Sequence, residues 1–179
     1  MIRALFRKLR QFLHDHSGVA ALEFALIAPF MILLYLGAVE ISLALSIDRK
    51  ITSTASAIAD LVAQDDVVTN GEMASILNAG EAIIAPFDPA PLQLRVTSVF
   101  MDFDDNVSVQ WSDAQGMSPL SPGSAISMPA GVMQSNRSII MVEVAYTYHT
   151  LFGELGVNQF NISEEFYLRP RRSLVVARD

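Results

Sequence analysis

One apolar segment constrains this chain more than any other feature of its sequence. Phe24 to Val39, 16 residues, contains no charge, and beyond Glu40 the apolar run continues to Ile47. As an α-helix, the 24 residues from Phe24 to Ile47 would reach roughly 36 Å, which is enough to cross a hydrocarbon core of about 30 Å. We therefore expect residues 19–47 to form one transmembrane helix in a lipid bilayer rather than a buried core helix.

Charge is distributed unevenly on the two sides of this segment. Residues 1–18 carry four basic residues and one acidic residue, whereas the remainder carries 8 basic and 18 acidic residues. Because basic flanks stay on the cytoplasmic side of a membrane, the pattern predicts a basic cytoplasmic leader over residues 1–18. The C-terminal domain should then lie outside, which in a bacterium is the periplasm. Its acidity argues against nucleic-acid binding, which favours basic surfaces.

Three interpretations compete for the first 47 residues. A secretory signal has a shorter apolar region, of about 7–15 residues, before a small-x-small cleavage site, and Ala44-Leu45-Ser46 formally fits such a site. An uncleaved anchor accounts for the length of the segment but not for Glu23, which lies one residue before the apolar run. The third interpretation is a chain that is cut after Gly18.

A cut after Gly18 would provide Glu23 with a partner. Drawing a carboxylate into lipid is costly, by about 2.5–3.5 kcal/mol at a helix centre, although the helix macrodipole favours negative charge near the N-terminus. Val19 would carry the new ammonium group, four residues before Glu23 and so one helical turn away on the same face. Pairing with this amine, or with the amine of an adjacent subunit, would offset the desolvation and set the register of a helical bundle.

The same segment resembles a known family. Gly18, four residues and then Glu23-Phe24 is similar to the processing site of type IVb prepilins, where prepilin peptidase cuts after the glycine. The wider stretch from His16 to Glu40 resembles the N-terminal domain of TadE-like pilus assembly proteins, which are minor pilins or pseudopilins of the tight-adherence (Tad, Flp) pilus. The resemblance implies a bacterial inner-membrane protein whose partners are prepilin peptidase, other pilins or pseudopilins and the Tad secretion machinery. It also implies that the mature chain either enters the pilus or helps to assemble it.

The alternative is an uncleaved, single-pass protein that is anchored in the membrane and acts as a periplasmic accessory or binding protein. It differs from the first hypothesis in its mature N-terminus, which would be Met1 and not Val19.

Three further residues of the apolar segment bear on how the helix packs. Pro29 removes the hydrogen bond to the carbonyl of Ala25 and should kink the helix. Gly37 permits close helix approach. Glu40 lies about 25 Å along the axis from Glu23, and we expect it at the outer membrane interface.

The rest of the chain predicts a small α+β domain over residues 67–179. Apolar residues at spacings of three and four extend the first helix over residues 48–66, and a second helix is expected over Glu72–Ile84, capped by Thr69 or Asn70. The period then changes to two, which predicts antiparallel strands near residues 92–103, 107–111, 138–149 and 160–168, with a long loop over residues 112–137. The fold class is therefore α+β: a long N-terminal transmembrane helix, the spine of a pilin-like plan, followed by a domain with an antiparallel sheet.

No pattern indicates an enzyme, a metal site or a cofactor. His14 and His16 belong to the leader, on the opposite side of the predicted membrane from His149. The acidic turn at residues 102–105 lacks the spaced ligands and the glycine of a calcium-binding loop.

The C-terminal segment is basic, and Arg169, Arg171 and Arg172 resemble the basic ending common among TadE-like proteins. These residues either contact acidic surfaces of neighbouring subunits, which the acidity of the domain favours, or form a solvated tail.

Overall fold

The computed structural model describes residues 17–150 and 158–179, so the leader over residues 1–16, with His14 and His16, lies outside the described residues. The chain divides between Ser42 and Leu43 into two compact units. The elements, in chain order, are α1 (Ser17–Ala63), β1 (Val67–Val68), α2 (Asn70–Ile84), β2 (Leu92–Met101), β3 (Val107–Gln115), β4 (Arg137–His149), β5 (Gln159–Leu168) and β6 (Ala177–Arg178).

The first unit, as far as it is described, consists of α1 up to Ser42. Its apolar side chains are exposed around the whole circumference of the helix, and its large exposed residues are Val19, Leu22, Phe24, Leu26, Ile27, Phe30, Met31, Ile32, Leu33, Leu34, Tyr35 and Ile41. A helix that is apolar all round needs an apolar environment, supplied by lipid or by other helices.

The second unit contains a four-stranded sheet with the strand order β3-β2-β4-β5, in which every neighbouring pair is antiparallel. β1 and β6 form a separate, two-stranded parallel sheet. On β4, the alternate residues from Ile140 to Tyr148 are buried on the face that packs against the helices. The sheet and the long preceding helix confirm the predicted α+β class.

The second half of α1 packs on that face of the sheet. Ile47, Ile51, Ile58 and Val62 are fully buried and recur at helical spacing. Ile47 was expected to end the transmembrane helix. Its burial in the core of the second unit assigns residues 43–47 to the domain: Ile47 is buried and Leu43 packs against the core, whereas Leu45 stays exposed.

Helix α1 ends at Ala63, three residues before the predicted boundary at residue 66. The backbone N–H groups of Gln64 and Asp65 donate to carbonyls only three residues back, which tightens the last turn. The N–H of Arg171 then donates to the carbonyl oxygen of Ala63 at 2.9 Å, so a distant part of the chain satisfies a carbonyl that the helix leaves free.

Helix α2 agrees with the prediction and has two polar ends. Thr69 is its N-cap and forms a capping box with Glu72: the Glu72 N–H donates to the Thr69 hydroxyl, and the Thr69 N–H donates to the Glu72 carboxylate. The Thr69 hydroxyl also donates to the Glu72 carboxylate, and the two bonds that this carboxylate accepts, from the Thr69 N–H and the Thr69 hydroxyl, lower the pKa of Glu72. At the other end, the Lys50 ammonium donates to the carbonyl of Ile83 at 3.0 Å, where a cation is favoured by the helix dipole.

The predicted loop over residues 112–137 is shorter in the structure, because β3 continues to Gln115 and β4 begins at Arg137. Residues 112–115 lack apolar alternation, but their strand is held by polar contacts. One of these is a hydrogen bond of 2.9 Å between the hydroxyls of Thr97 and Ser112. The remaining loop also pairs with β3, through a bridge between Ser108 and Ala125.

A C-terminal strap, residues 171–179, closes the second unit and was not predicted. Its strand β6 pairs with β1, and the indole N–H of Trp111 donates to the Val176 carbonyl at 2.8 Å. The Arg178 guanidinium donates to both oxygens of Asp113, at 2.8 and 3.0 Å, and to the carbonyl of Val68. The strap therefore connects β1 with β3, two strands that belong to different sheets.

Replacing Arg178 by Met should lower the free energy of unfolding by about 2 kcal/mol, because Asp113 loses a partly buried bidentate partner. Arg172→Met is the matched control, since Arg172 is exposed, and should cost less than about 0.5 kcal/mol. Urea titration of the full chain in mild detergent, followed by the fluorescence of the single tryptophan, Trp111, measures both. Equal losses would contradict the role given to Arg178.

Gly80 lies where α2, α1 and β2 come closest together. A Cβ atom at this position would lie 2.7 Å from Leu94 Cδ1 and 2.9 Å from Ile58 Cδ1, and both of these side chains are buried. Gly80→Ala should therefore destabilise the fold by about 1 kcal/mol, since overpacking outweighs the gain in helix propensity. In the same urea titration Gly71→Ala should be neutral or stabilising, because nothing lies within 4 Å of its Cβ position.

Candidate assembly interface

The predicted cleavage position lies at the beginning of α1. The helix begins at Ser17, so Gly18 is in its first turn, and in the described residues no atom beyond its sequence neighbours and the adjacent helix backbone lies within 4 Å of the position that a Cβ would take. Val19 is half exposed. A Cβ atom at position 18 therefore meets no steric obstacle in the described chain, so packing there does not exclude alanine.

Glu23 follows Val19 by one turn of this helix, a rise of about 6 Å. Its side chain is exposed, and the neighbouring Phe24 side chain is 72% exposed. The structure thus presents a carboxylate on an otherwise apolar helical surface, at the spacing that brings residues i and i+4 to the same face. An amine at Val19 would meet this carboxylate along the helix.

The other predicted residues of this helix are distributed along its length. Pro29 lies inside α1, which is helical on both sides of it, and Gly37 has no atom within 4 Å of its Cβ position. Glu40 is half-buried and lies three residues before the division between the two units. Their roles in bending, close helix approach and the outer interface stay predictions.

Helix α1 is long and apolar enough to span a membrane. The candidate span is Gly18–Ala63, and its most apolar window has a mean hydropathy of 2.2 with none of its residues buried. The absence of buried residues in this window distinguishes it from the core helix of a soluble protein, although a signal sequence passes the same test of length and composition. The molecule is thus a small α+β domain that follows a helix able to anchor it in a membrane.

The family model described as TadE-like protein matches residues 18–60, and it confirms the resemblance of this segment to TadE-like pilus assembly proteins. The match begins at Gly18, covers most of α1 and ends before β1. The comparison thus relates the helical N-terminal part of the chain to this family. No curated protein and no solved structure matches the chain.

The basic residues near the C-terminus have contacts within the chain. Arg171 forms an ion pair with Asp60 of α1, and Arg169 donates to the carbonyl oxygen of Val132 at 3.3 Å. Arg172 is exposed. The predicted contact of these arginines with neighbouring subunits stays a prediction, but for Arg171 it would compete with the pair to Asp60.

The acidic turn between β2 and β3 uses its carboxylate for local structure. Asp102 accepts hydrogen bonds from the backbone N–H groups of Asp104 and Asn106 and from the Asn106 side-chain amide, and these bonds lower the pKa of Asp102. In residues 17–150 and 158–179 there is no group of three or more His, Cys, Asp or Glu side chains that could hold a metal ion.

An open depression of about 240 Å³ lies between the end of α1 and the start of α2. Its lining includes Glu72, which forms the capping box of α2, and the apolar side chains of Leu61 and Ile76. Asp65 and Ser75 also line it; the Ser75 hydroxyl donates to the carbonyl of Gly71, and the Glu72 carboxylate is used in the helix cap.

A polar row on the outer face of the sheet was missed by sequence reasoning. Arg95, Glu143 and Glu165 lie directly opposite one another on β2, β4 and β5, and the Arg95 guanidinium bonds both oxygens of Glu143. This hydrogen bonding raises the pKa of Arg95, while burial raises the pKa of Tyr167, which donates to Glu165, to about 12. Only the strand register reveals this row, because the residues are far apart in sequence.

Proposed function

We propose that this chain is a TadE-like minor pilin or pseudopilin, cut after Gly18 by prepilin peptidase, that takes part in assembly of the Tad (Flp) pilus. The observation that carries the proposal is the family match to residues 18–60, whose first residue is the glycine of the processing pattern. Other pilins or pseudopilins, the Tad secretion machinery and the lipid bilayer are its partners.

The exposed surface of α1 supports this function. Its large apolar side chains before Ser42 are exposed on all faces, so the same surface suits lipid before assembly and neighbouring helices afterwards. Cleavage also accounts for the carboxylate of Glu23 in an apolar segment, since it then pairs with the Val19 amine of its own chain or of the adjacent subunit.

The charge distribution supports an orientation in the bacterial inner membrane. The basic residues of the leader remain in the cytoplasm and the α+β domain lies in the periplasm. From there the processed chain either enters the pilus or assists its assembly.

Gly18→Ala should abolish processing in cells with active prepilin peptidase, and the chain should keep its N-terminal leader. Because the Cβ has free space, the loss would reflect recognition by the peptidase and not misfolding. N-terminal sequencing of the membrane-extracted chain is the measurement, and Gly71→Ala, which also has free space, should be processed normally. An unaltered wild-type chain that begins at Met1 would instead support an uncleaved, membrane-anchored accessory protein, and one that begins at Ile47 would indicate a conventional signal.

Glu23→Gln should leave cleavage and membrane insertion intact but reduce assembly by about tenfold or more, because it removes an ion pair shielded from water. Asp104→Asn removes the same charge from an exposed turn and should have no effect. Counting pili and the incorporated chain in both variants tests this, and wild-type assembly with Glu23→Gln would contradict the pairing.

A further inference from the structure

The two helices cover the sheet unevenly. Helix α2 packs on the side of β2 and β3: Gly80 meets the side chain of Leu94, and Gln115 of β3 donates to Glu81. In the described residues no second helix accompanies α1 on the side of β5, at the other end of the sheet.

The two edges of the sheet also differ in how far they are covered. The edge formed by β3 is covered by the following loop, through the bridge between Ser108 and Ala125 and the hydrogen bond from the Gly123 N–H to the Val109 carbonyl at 2.7 Å. β5 is the terminal strand at the opposite edge, and in the described residues no further strand pairs with it.

The inner side of β5 is consequently half open. Its residues alternate with polar ones and lie opposite buried residues of β4, so they face the same side as the core. We call this surface the β5 flank; its apolar members are only partly buried, and its residues are Phe160, Ile162, Glu164, Phe166 and Leu168.

Glu164 is the one charged residue of the β5 flank. It lies directly opposite Val144, which is buried, and between Ile162 and Phe166 on the same face. No ion pair holds Glu164 in the described part of the chain. The β5 flank therefore combines apolar side chains with one uncompensated negative charge.

The complementary surface is on α1. Its outer strip, which we define as Arg49, Thr52, Ser53 and Ser56, faces away from the core and is made of small side chains around one cation. The hydroxyls of Thr52 and Ser53 donate to the carbonyls four residues earlier, and that of Ser56 donates to the Ser53 carbonyl. Because the hydroxyls are already bonded to the helix, the strip can be covered without leaving them unsatisfied. Arg49 has no ion pair among the described residues.

We propose that the outer strip of α1 in a second copy of this chain docks on the β5 flank, with its Arg49 paired to Glu164 of the first copy. The apolar flank then receives a cover, as α2 covers the other side, and each unpaired charge receives a partner of opposite sign. Since the two surfaces are different parts of one chain, the contact is heterologous and can repeat from copy to copy. This inference rests on the proposed assembly function and specifies one contact in it.

Cysteine pairs test the contact directly, because the chain contains no cysteine. Two differently tagged full-length chains, one with Arg49→Cys and one with Glu164→Cys, are co-expressed and oxidised in the membrane. We expect a disulfide-linked dimer that contains both tags, and at least about fivefold less dimer when either variant is expressed alone. Asp104→Cys, which is exposed in the turn between β2 and β3, replaces Arg49→Cys as the matched control and should give little dimer with Glu164→Cys.

Two results would overturn the proposal. The first is dimer formed mainly by Glu164→Cys alone, which would indicate two-fold pairing of β5 edges. The second is no dimer above the Asp104→Cys control in chains whose urea transition matches that of the wild type.

Charge reversal is an independent measurement that introduces no cysteine. Arg49→Glu or Glu164→Arg should each reduce co-purification of two differently tagged copies by about fivefold. Combining both changes in every copy restores opposite charges across the contact and should recover most of the loss. Failure of the double variant to recover it would contradict the pairing.

The N-terminus of each chain is sequenced in the same samples, so the two proposals fail separately. Correct cleavage after Gly18 without the cross-link would overturn only the contact. The cross-link in chains that retain their leader would support the contact and count against the proposed processing.

Discussion

The structure depends on a change of surface within one helix. After Ser42 the buried residues of α1 recur at spacings of three and four, from Ile47 to Val62, and this narrow stripe forms the centre of the domain core. Before Ser42 the helix has no such stripe and is apolar all round. Thr54, the polar residue within the buried stripe, donates to the carbonyl of Lys50 at 2.9 Å and so costs little to bury. The first half of α1 is thus suited to lipid or to other helices, and the second half packs in the core of the domain.

The local pattern was sufficient to predict most of the domain. Alternating apolar residues located all four strands of the main sheet, and the cap candidates Thr69 and Asn70 located the start of α2. The prediction was wrong where polar contacts replace apolar alternation, as at residues 112–115. β6 was missed because a two-residue strand leaves no local signal, and its partners at β1 and Asp113 are distant in sequence.

The candidate site likewise has one part that local sequence patterns predicted and one part that they could not predict. The pattern from Gly18 to Phe24 is local, so its spacing could be recognised in the sequence alone, and the family match to residues 18–60 agrees with it. The contacts of the basic C-terminus could not be predicted, because Arg171 pairs with Asp60 only when the C-terminal strap packs against the end of α1. Of the arginines beyond residue 168, Arg178 is used in the fold, whereas Arg172 is exposed and able to meet another molecule.

The position of Glu164 bears on how copies can meet. A charge that points inward from an edge strand opposes simple extension of the sheet, because another strand would remove water from the carboxylate. A helix that brings a cation avoids this cost, since the arginine replaces the water that it displaces. In the described residues a loop pairs with the β3 edge, so the β5 edge is the one that this kind of contact would use. An edge protected against strand addition is therefore still open to a helix with the complementary charge.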